Sequence, residues 1–312
     1  MDSLWTVLVT VALVAGCSKE GDSAKPEHKP APSTKPSAVS DAAVAKKADK
    51  TSGTTNGLRW WKFDLPKEAL ARALESRPRV IGFGEYHEQA GGPDVVPPMA
   101  RFTLGMLDTI APFTSDLVFE TWIADRRCGK KQVRVNKTVK KQMKRPVHQE
   151  TTMMKLLKKA RKLRIQPHRL QFSCKEYKSL LDKKTKRVVY PNLLRLITKK
   201  LGETTEKILA VHKKKKYKRK VIAIYGGAFH NEKHTYDQYA QISYVKAVEK
   251  ATGGKYVEID VFVPEIIKGN KRLSKEKFYP LFEQLASDKK VLLIERGDKS
   301  FIMIMRRNLK TF

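Results

Sequence analysis

Beyond about residue 58, short apolar runs alternate with segments whose apolar residues recur at helical spacing, and this alternation constrains the fold most. The apolar runs are 79–85, 116–122, 169–174, 220–226 and 255–264. The helical patterns are 67–76, 96–110, 149–163, 192–212, 236–251 and 274–286. Alternating strands and helices favour an α/β fold with a mainly parallel sheet and helices on both faces. Two last runs, 291–295 and 301–306, flank a turn and predict a C-terminal antiparallel hairpin.

The first 17 residues are predicted to be a signal peptide. Their apolar run, 4–14, is too short to span a bilayer, which needs about 20 residues, but suits a signal-peptide core. The Val-Ala-Gly-Cys sequence that ends at Cys17 resembles the lipobox of bacterial lipoproteins. The resemblance implies cleavage before Cys17, palmitate-type acylation of its sulfur and membrane attachment. Ser18, in place of an aspartate that would resemble an inner-membrane retention signal, favours the outer membrane, facing the periplasm or the exterior.

Residues 18–58 are predicted to be a disordered tether, because Lys, Pro, Ala and Ser dominate and large apolar residues are nearly missing. The remaining segment, 59–312, begins with Trp60, Trp61 and Phe63, and about 250 residues suffice for one large domain.

The chain is strongly basic, with 64 Lys+Arg against 32 Asp+Glu and a net charge of +32. Residues 126–220 hold 34 basic and 5 acidic side chains, and they include a Lys-rich stretch near 126–164. Its part 129–146 has no clear period and predicts a mobile loop. Such charge fits an anionic lipid or cell-wall polymer, or simply a solvated surface. Nucleic acid is not favoured, because aromatic residues are not interleaved with the lysines.

Besides Cys17, the chain has Cys128 and Cys174. An even pair in an exported protein favours a disulfide bond. Two metal thiolates are the alternative, which no Cys-x-x-Cys spacing supports.

Acidic and imidazole side chains follow three of the predicted strands. Glu85 and His87 close the first strand, Glu120 ends the second, and His230 follows the fourth. Both histidines stand in Gly-x-x-His sequences, and ligands of open α/β sheets gather at the carboxyl ends of the strands. We therefore predict one site at that edge.

The segments IGFGEYHE, LVFETW and IAIYGGAFHN resemble the erythromycin-esterase/ChaN/TraB–Tiki superfamily, over roughly 58–312. The resemblance implies a site around Glu85, His87, Glu120 and His230. It does not fix one activity, since members include metal-dependent proteases, a macrolide-ring esterase and haem-binding lipoproteins. Relative to the compact members, the resemblance implies that the basic stretch near 126–164 is an insertion.

The residue types suit a metal or a reactive water. His87, Glu120 and His230 could ligate Zn²⁺, Mn²⁺ or Fe²⁺, with His234 added if the segment after His230 is helical. Glu85 would then relay protons. Without metal, either His87 or His230 could activate water.

Three functions stay open, and the sequence does not decide whether the chain is an enzyme. The first is an envelope lipoprotein with a hydrolase-type site for an ester, lactone or amide. The second is a haem- or iron-binding lipoprotein in which Tyr86, His87, Tyr225 or His230 contacts the cofactor. The third is a non-catalytic module that binds anionic envelope polymer.

Overall fold

The computed structural model describes most of the chain beyond residue 50. The described residues are 51–88, 92–122, 128–142, 149–185, 187–215, 217–234, 237–287 and 289–306. The predicted signal peptide, Cys17 and the tether up to residue 50 lie outside them.

A nine-stranded sheet forms the centre of the domain, with the spatial order β1-β2-β8-β9-β7-β3-β6-β4-β5. Its strands are β1 (Ser52–Thr55), β2 (Leu58–Phe63), β3 (Val80–Glu85), β4 (Thr114–Trp122), β5 (Gln166–Leu170), β6 (Val221–Gly227), β7 (Tyr256–Phe262), β8 (Val291–Gly297) and β9 (Ser300–Ile304). The pairings from β9 through β7, β3, β6 and β4 to β5 are parallel. The β8–β9 hairpin is antiparallel. The predicted α/β class and C-terminal hairpin are therefore confirmed.

Helices cover both faces of this sheet. They are α1 (Pro66–Ala73), α2 (Pro98–Arg101), α3 (Leu107–Ile110), α4 (Gly129–Gln142), α5 (Gln149–Lys162), α6 (Cys174–Ser179), α7 (Tyr190–Lys214), α8 (Ala228–Asn231), α9 (Val245–Thr252), α10 (Pro264–Ile267) and α11 (Tyr279–Leu285). A π-helical turn, Phe102–Met106, joins α2 to α3. Among the described residues, none of these helices combines the length and the apolar character needed to cross a bilayer.

The core lies on the two faces because successive strand residues point to opposite sides. On one face Phe83, Phe119 and Tyr225 pack against the helices α1 to α3 and α5. On the other face Val118 and Ile224 pack against α4, α6, α7 and α9. The central strands are consequently buried on both sides, as the mainly apolar runs of β3 and β6 predicted.

The sheet begins earlier than the sequence indicated. β1 and the first residue of β2 lie within 18–58, the segment predicted to be a tether, and β1 pairs antiparallel with β2. That part of the tether prediction is wrong. The polar Ser-Gly-Thr-Thr sequence gives no apolar alternation, and pairing with the Trp60–Trp61 strand holds it at the edge of the sheet.

The predicted mobile loop at 129–146 is also wrong over most of its length, because α4 occupies Gly129–Gln142. Val135 and Val139 are fully buried, and the Trp122 indole N–H donates a 2.9 Å hydrogen bond to Asn136. Two buried valines one helical turn apart suffice to pack the helix against the domain. The sequence pattern did not reveal them, because lysines surround them.

A disulfide bond joins Cys128 to Cys174, as predicted, and ties the start of α4 to the start of α6. The third strand, expected at 169–174, is instead Gln166–Leu170. Cys174 begins a helix there because Ser173 caps it by accepting from the Glu176 N–H.

Candidate functional site

The parallel strands β3, β6 and β4 are neighbours, and their carboxyl ends bring the predicted site residues together. Glu85 ends β3, Glu120 lies near the end of β4, and His230 lies in α8 directly after β6. Glu85, His87, Glu120 and His230 are all less than one-tenth exposed. Residues separated by up to 145 positions thus share one buried edge.

A chain of hydrogen bonds runs from Tyr225 through Glu85 to His87. The Tyr225 hydroxyl donates to Glu85 Oε2, and Glu85 Oε1 lies 2.5 Å from His87 Nδ1. The Tyr225 ring is held against Phe102, with ring centroids 4.7 Å apart. A carboxylate at Nδ1 favours the tautomer with its proton on Nδ1, which leaves the lone pair on Nε2.

Glu120 and His230 form the second half of the site. Glu120 Oε2 accepts a 2.6 Å hydrogen bond from the Gly227 N–H, and its Oε1 lies 3.8 Å from His230 Nε2. His230 Nδ1 lies 3.2 Å from the Ile242 carbonyl and 2.7 Å from the Thr198 hydroxyl. Donation from Nδ1 to the carbonyl leaves the Nε2 lone pair directed at Glu120.

Two glycines allow these halves to meet. A Cβ at Gly227 would lie 2.8 Å from His87 Nε2 and 3.4 Å from Glu120 Oε2. A Cβ at Gly226 would lie 2.8 Å from Glu120 Oε2. His87 Nε2 and the Glu120 carboxylate therefore occupy the space that a Cβ would fill. A side chain at Gly227 would displace His87, and one at Gly226 would displace Glu120.

Burial keeps His230 uncharged. Desolvation lowers the pKa of His230 from 6.5 to about 4, and the hydrogen bond to Ile242 offsets only part of this effect. A neutral imidazole can accept a proton, accept a hydrogen bond or bind a metal ion through Nε2. His230 is therefore suited to these roles at neutral pH.

The structure places His234 apart from this site. α8 ends at Asn231, so the helical spacing expected between His230 and His234 does not exist. The His234 side chain is exposed, and its backbone N–H donates to Glu232 instead. The argument for His234 as a metal ligand therefore fails.

A different group gathers the acidic atoms most tightly. Within the described ranges, one group of three His, Cys, Asp or Glu residues has ligand atoms that all lie within 4.8 Å of one another. It consists of Glu232, Glu258 and Asp260, and it could hold a metal ion. This set differs from the predicted His87, Glu120 and His230. Arg296, however, already contacts all three carboxylates, at 3.2, 2.6 and 2.9 Å in the order Glu232, Glu258, Asp260.

Burial dominates the electrostatics of this acidic group. Desolvation raises the pKa of Asp260 to about 7 and that of Glu258 well above its usual value, despite the attraction of Arg296. The three carboxylates in turn raise the pKa of Arg296. A guanidinium that is charged at every relevant pH serves here as the counterion of the cluster.

The two predicted tyrosines play different parts. The Tyr225 hydroxyl donates a hydrogen bond to Glu85, and Tyr225 is 2% exposed. The Tyr86 hydroxyl accepts a 2.5 Å hydrogen bond from Asn270. Both oxygens are thus engaged by protein groups.

Sequence reasoning missed Thr198 and Arg296. Thr198 lies on α7, far in sequence from any strand end, and only the fold brings it to His230. Gly227 was found as the glycine of the Gly-x-x-His sequence, but not for the space that it leaves to His87 and Glu120. Arg296 was assigned to a hairpin turn, yet it is part of strand β8.

Comparison of the chain with protein-family models, with curated proteins and with solved structures found no match. The resemblance to the erythromycin-esterase/ChaN/TraB–Tiki superfamily therefore stays a prediction that depends on the motifs.

Proposed function

We propose that the chain is a membrane-anchored envelope hydrolase that cleaves an ester, lactone or amide at the edge formed by β3, β6 and β4. The observation that carries this proposal is the buried Tyr225–Glu85–His87 chain, whose 2.5 Å Glu85–His87 contact orients His87 Nε2 over Gly227 and beside Glu120. A carboxylate that holds one imidazole nitrogen, while the other faces the reacting group, is typical of a general base.

His87 Nε2 takes a proton from a water molecule as the water oxygen bonds to the carbonyl carbon. The Nδ1 proton stays with the imidazole, and Glu85 stabilises the positive charge that forms. The tetrahedral adduct then collapses, the bond from carbon to the leaving oxygen or nitrogen breaks, and the imidazolium returns its proton to that atom. The Tyr225 hydroxyl keeps Glu85 in place.

Glu120 and His230 fit a divalent ion by the chemistry of their donor atoms. A carboxylate oxygen and a neutral imidazole nitrogen 3.8 Å apart are too far for a direct hydrogen bond and within reach of one shared ion. Zn²⁺, Mn²⁺ or Fe²⁺ held there would polarise the carbonyl or acidify water. In either case Glu120, fixed by the Gly227 N–H, orients the water next to His87.

The alternative of haem binding uses Tyr86, His87, Tyr225 or His230 as an iron ligand. Both tyrosine hydroxyls are engaged by protein groups, and burial of Tyr225 leaves no open approach to its oxygen. His87 and His230 are 8% and 2% exposed, which leaves little surface for a porphyrin ring to approach. These observations favour the hydrolase. Membrane anchoring, in turn, is inferred from the likeness of the Cys17 region to a lipobox.

A panel of nitrophenyl esters, lactones and amides tests the proposal. Glu85→Gln and His87→Gln are each expected to lower kcat about 10²- to 10⁴-fold with little change in KM, because general acid–base catalysis is lost. His168→Gln is the matched control, since His168 lies at the amino end of the sheet, bonded to Asp116, and should stay within about twofold. Hydrolysis that persists in His87→Gln, or no hydrolysis of any class by the metal-supplemented protein, would refute the proposal.

A further inference from the structure

Basic residues gather at the amino end of the sheet, opposite the candidate site. α7 ends there in Lys213 and Lys214, and the segment before β6 adds Lys218, Arg219 and Lys220. Lysines at a helix C-terminus are explained by the helix dipole, but residues 218–220 lie beyond the helix. We call Phe113, Val211, Lys213, Lys214 and residues 217–220 the amino-end surface.

Arg219 fixes the shape of this surface. Its guanidinium donates to the carbonyls of Ala111 and Leu163, both at 3.0 Å, and also to that of Arg164. The Val221 N–H donates a 3.1 Å hydrogen bond to the Phe113 carbonyl. The turn that carries Phe113, the end of α5 and the segment before β6 are therefore held side by side.

Apolar side chains stand among these cations. Phe113 is 38% exposed, Tyr217 37% and Val211 43%. The Tyr217 ring packs on the His212 ring at 5.0 Å, and His212 Nε2 lies 2.9 Å from the buried Asp116 carboxylate. Tyr217 is thus supported from beneath, while the acidic group under it is already shared with two histidines.

We propose that the amino-end surface docks on the surface of an anionic lipid bilayer. Lysines supply attraction to the lipid phosphates, and their long stems let the charge stay at headgroup level. A membrane can also use exposed apolar surface, which enters the boundary between headgroups and acyl chains, whereas a soluble polyanion has no use for it. That surface is supplied by Phe113, Tyr217 and Val211. The combination of cationic and exposed apolar side chains favours a membrane over a polymer.

Vesicle co-sedimentation tests this proposal on the predicted mature chain without its lipidated cysteine, residues 18–312, so that neither an acyl group nor the apolar run 4–14 contributes. Vesicles of phosphatidylglycerol and phosphatidylcholine should bind it, whereas pure phosphatidylcholine should not. Lys218→Gln/Lys220→Gln is expected to weaken binding about 30-fold, from about fivefold per charge near an anionic surface. Phe113→Ser should weaken it about five- to tenfold, because part of a phenyl ring no longer leaves water.

Lys271→Gln/Lys275→Gln is the matched control, since it removes the same charge from exposed lysines in the segment between α10 and α11, which follows the carboxyl end of β7 at the other end of the sheet. It should change vesicle binding by less than about twofold if the amino-end surface is the one that docks. Equal losses in both double variants would show that net charge alone acts and would overturn the proposal. Binding unaffected by Phe113→Ser and abolished by inorganic polyphosphate would assign the surface to a soluble polyanion instead. Either result is independent of the hydrolysis assays.

Discussion

Replacing Arg296 by glutamine should destabilise the fold strongly, and more at high pH than at low pH. Arg296 contacts Glu258 at 2.6 Å, Asp260 at 2.9 Å and Glu232 at 3.2 Å. The side chains of Glu258 and Asp260 are 0% and 2% exposed, so neither carboxylate can turn to water. Removing one partner of a buried ion pair typically costs about 3–5 kcal/mol.

The pH dependence follows from the direction of the pKa shifts. Burial already raises the pKa of Asp260 from 3.8 to about 7, so the folded state binds a proton more tightly than the unfolded state does. The free energy of unfolding therefore keeps its full value below about pH 4, where the group is protonated in both states, and it falls as the pH rises towards the folded pKa. Loss of Arg296 raises the pKa of both acids further, because Arg296 lowers it now. The variant should therefore lose the full 3–5 kcal/mol near pH 8 and much less near pH 5.

Urea unfolding followed by tryptophan fluorescence at both pH values measures the loss. Arg59→Gln is the control, because Arg59 also pairs with a glutamate on β8, Glu295, at 2.6 Å. Its side chain is 58% exposed, so its removal should cost less than about 1 kcal/mol. An Arg296→Gln variant that loses no more than the control, or equally at both pH values, would refute the role assigned to Arg296.

Two further predictions concern stability. The pKa of His230 drops from 6.5 to about 4 on folding, so the free energy of unfolding should fall by about 3 kcal/mol as the pH is lowered from about 6.5 to 4. His230→Gln should remove that part of the acid sensitivity in urea titrations, and an unchanged pH profile would contradict it. The Cys128–Cys174 bond closes a loop with a sequence separation of 46, so its replacement by two serines should cost about 4 kcal/mol by chain entropy. A midpoint of thermal unfolding that does not move would contradict this.

The sequence was sufficient to predict a strand where the strand is buried on both of its faces. The runs that became β3 and β6 are apolar over nearly their whole length, and such a run suits a strand that lies between two helical layers. β1 could not be found in this way, because Ser52–Thr55 has no apolar pattern and is a strand only through its partner β2. α4 was missed because lysines outnumber the two valines that dock it.

Topology alone predicted that the four site residues would lie close together, since strand ends in a parallel sheet share one edge. These residues are Glu85, His87, Glu120 and His230. Their hydrogen bonds did not follow. Whether Glu85 would face Tyr225, or His230 would face Thr198, depends on side-chain directions that the pattern of residues does not contain. The Arg296 cluster was equally hidden, because its members lie on β7, on β8 and after α8.

Gly226 and Gly227 leave part of β6 without side chains, at the carboxyl edge of the sheet. Tyr225 belongs to the hydrophobic layer on one face, while Thr198, which contacts His230, lies on α7 in the opposite layer. A proton gained or lost at His87 would be felt electrostatically by Glu120, whose oxygen lies close to the same glycine. The two helical layers, which the strands separate elsewhere, would therefore be coupled at this edge.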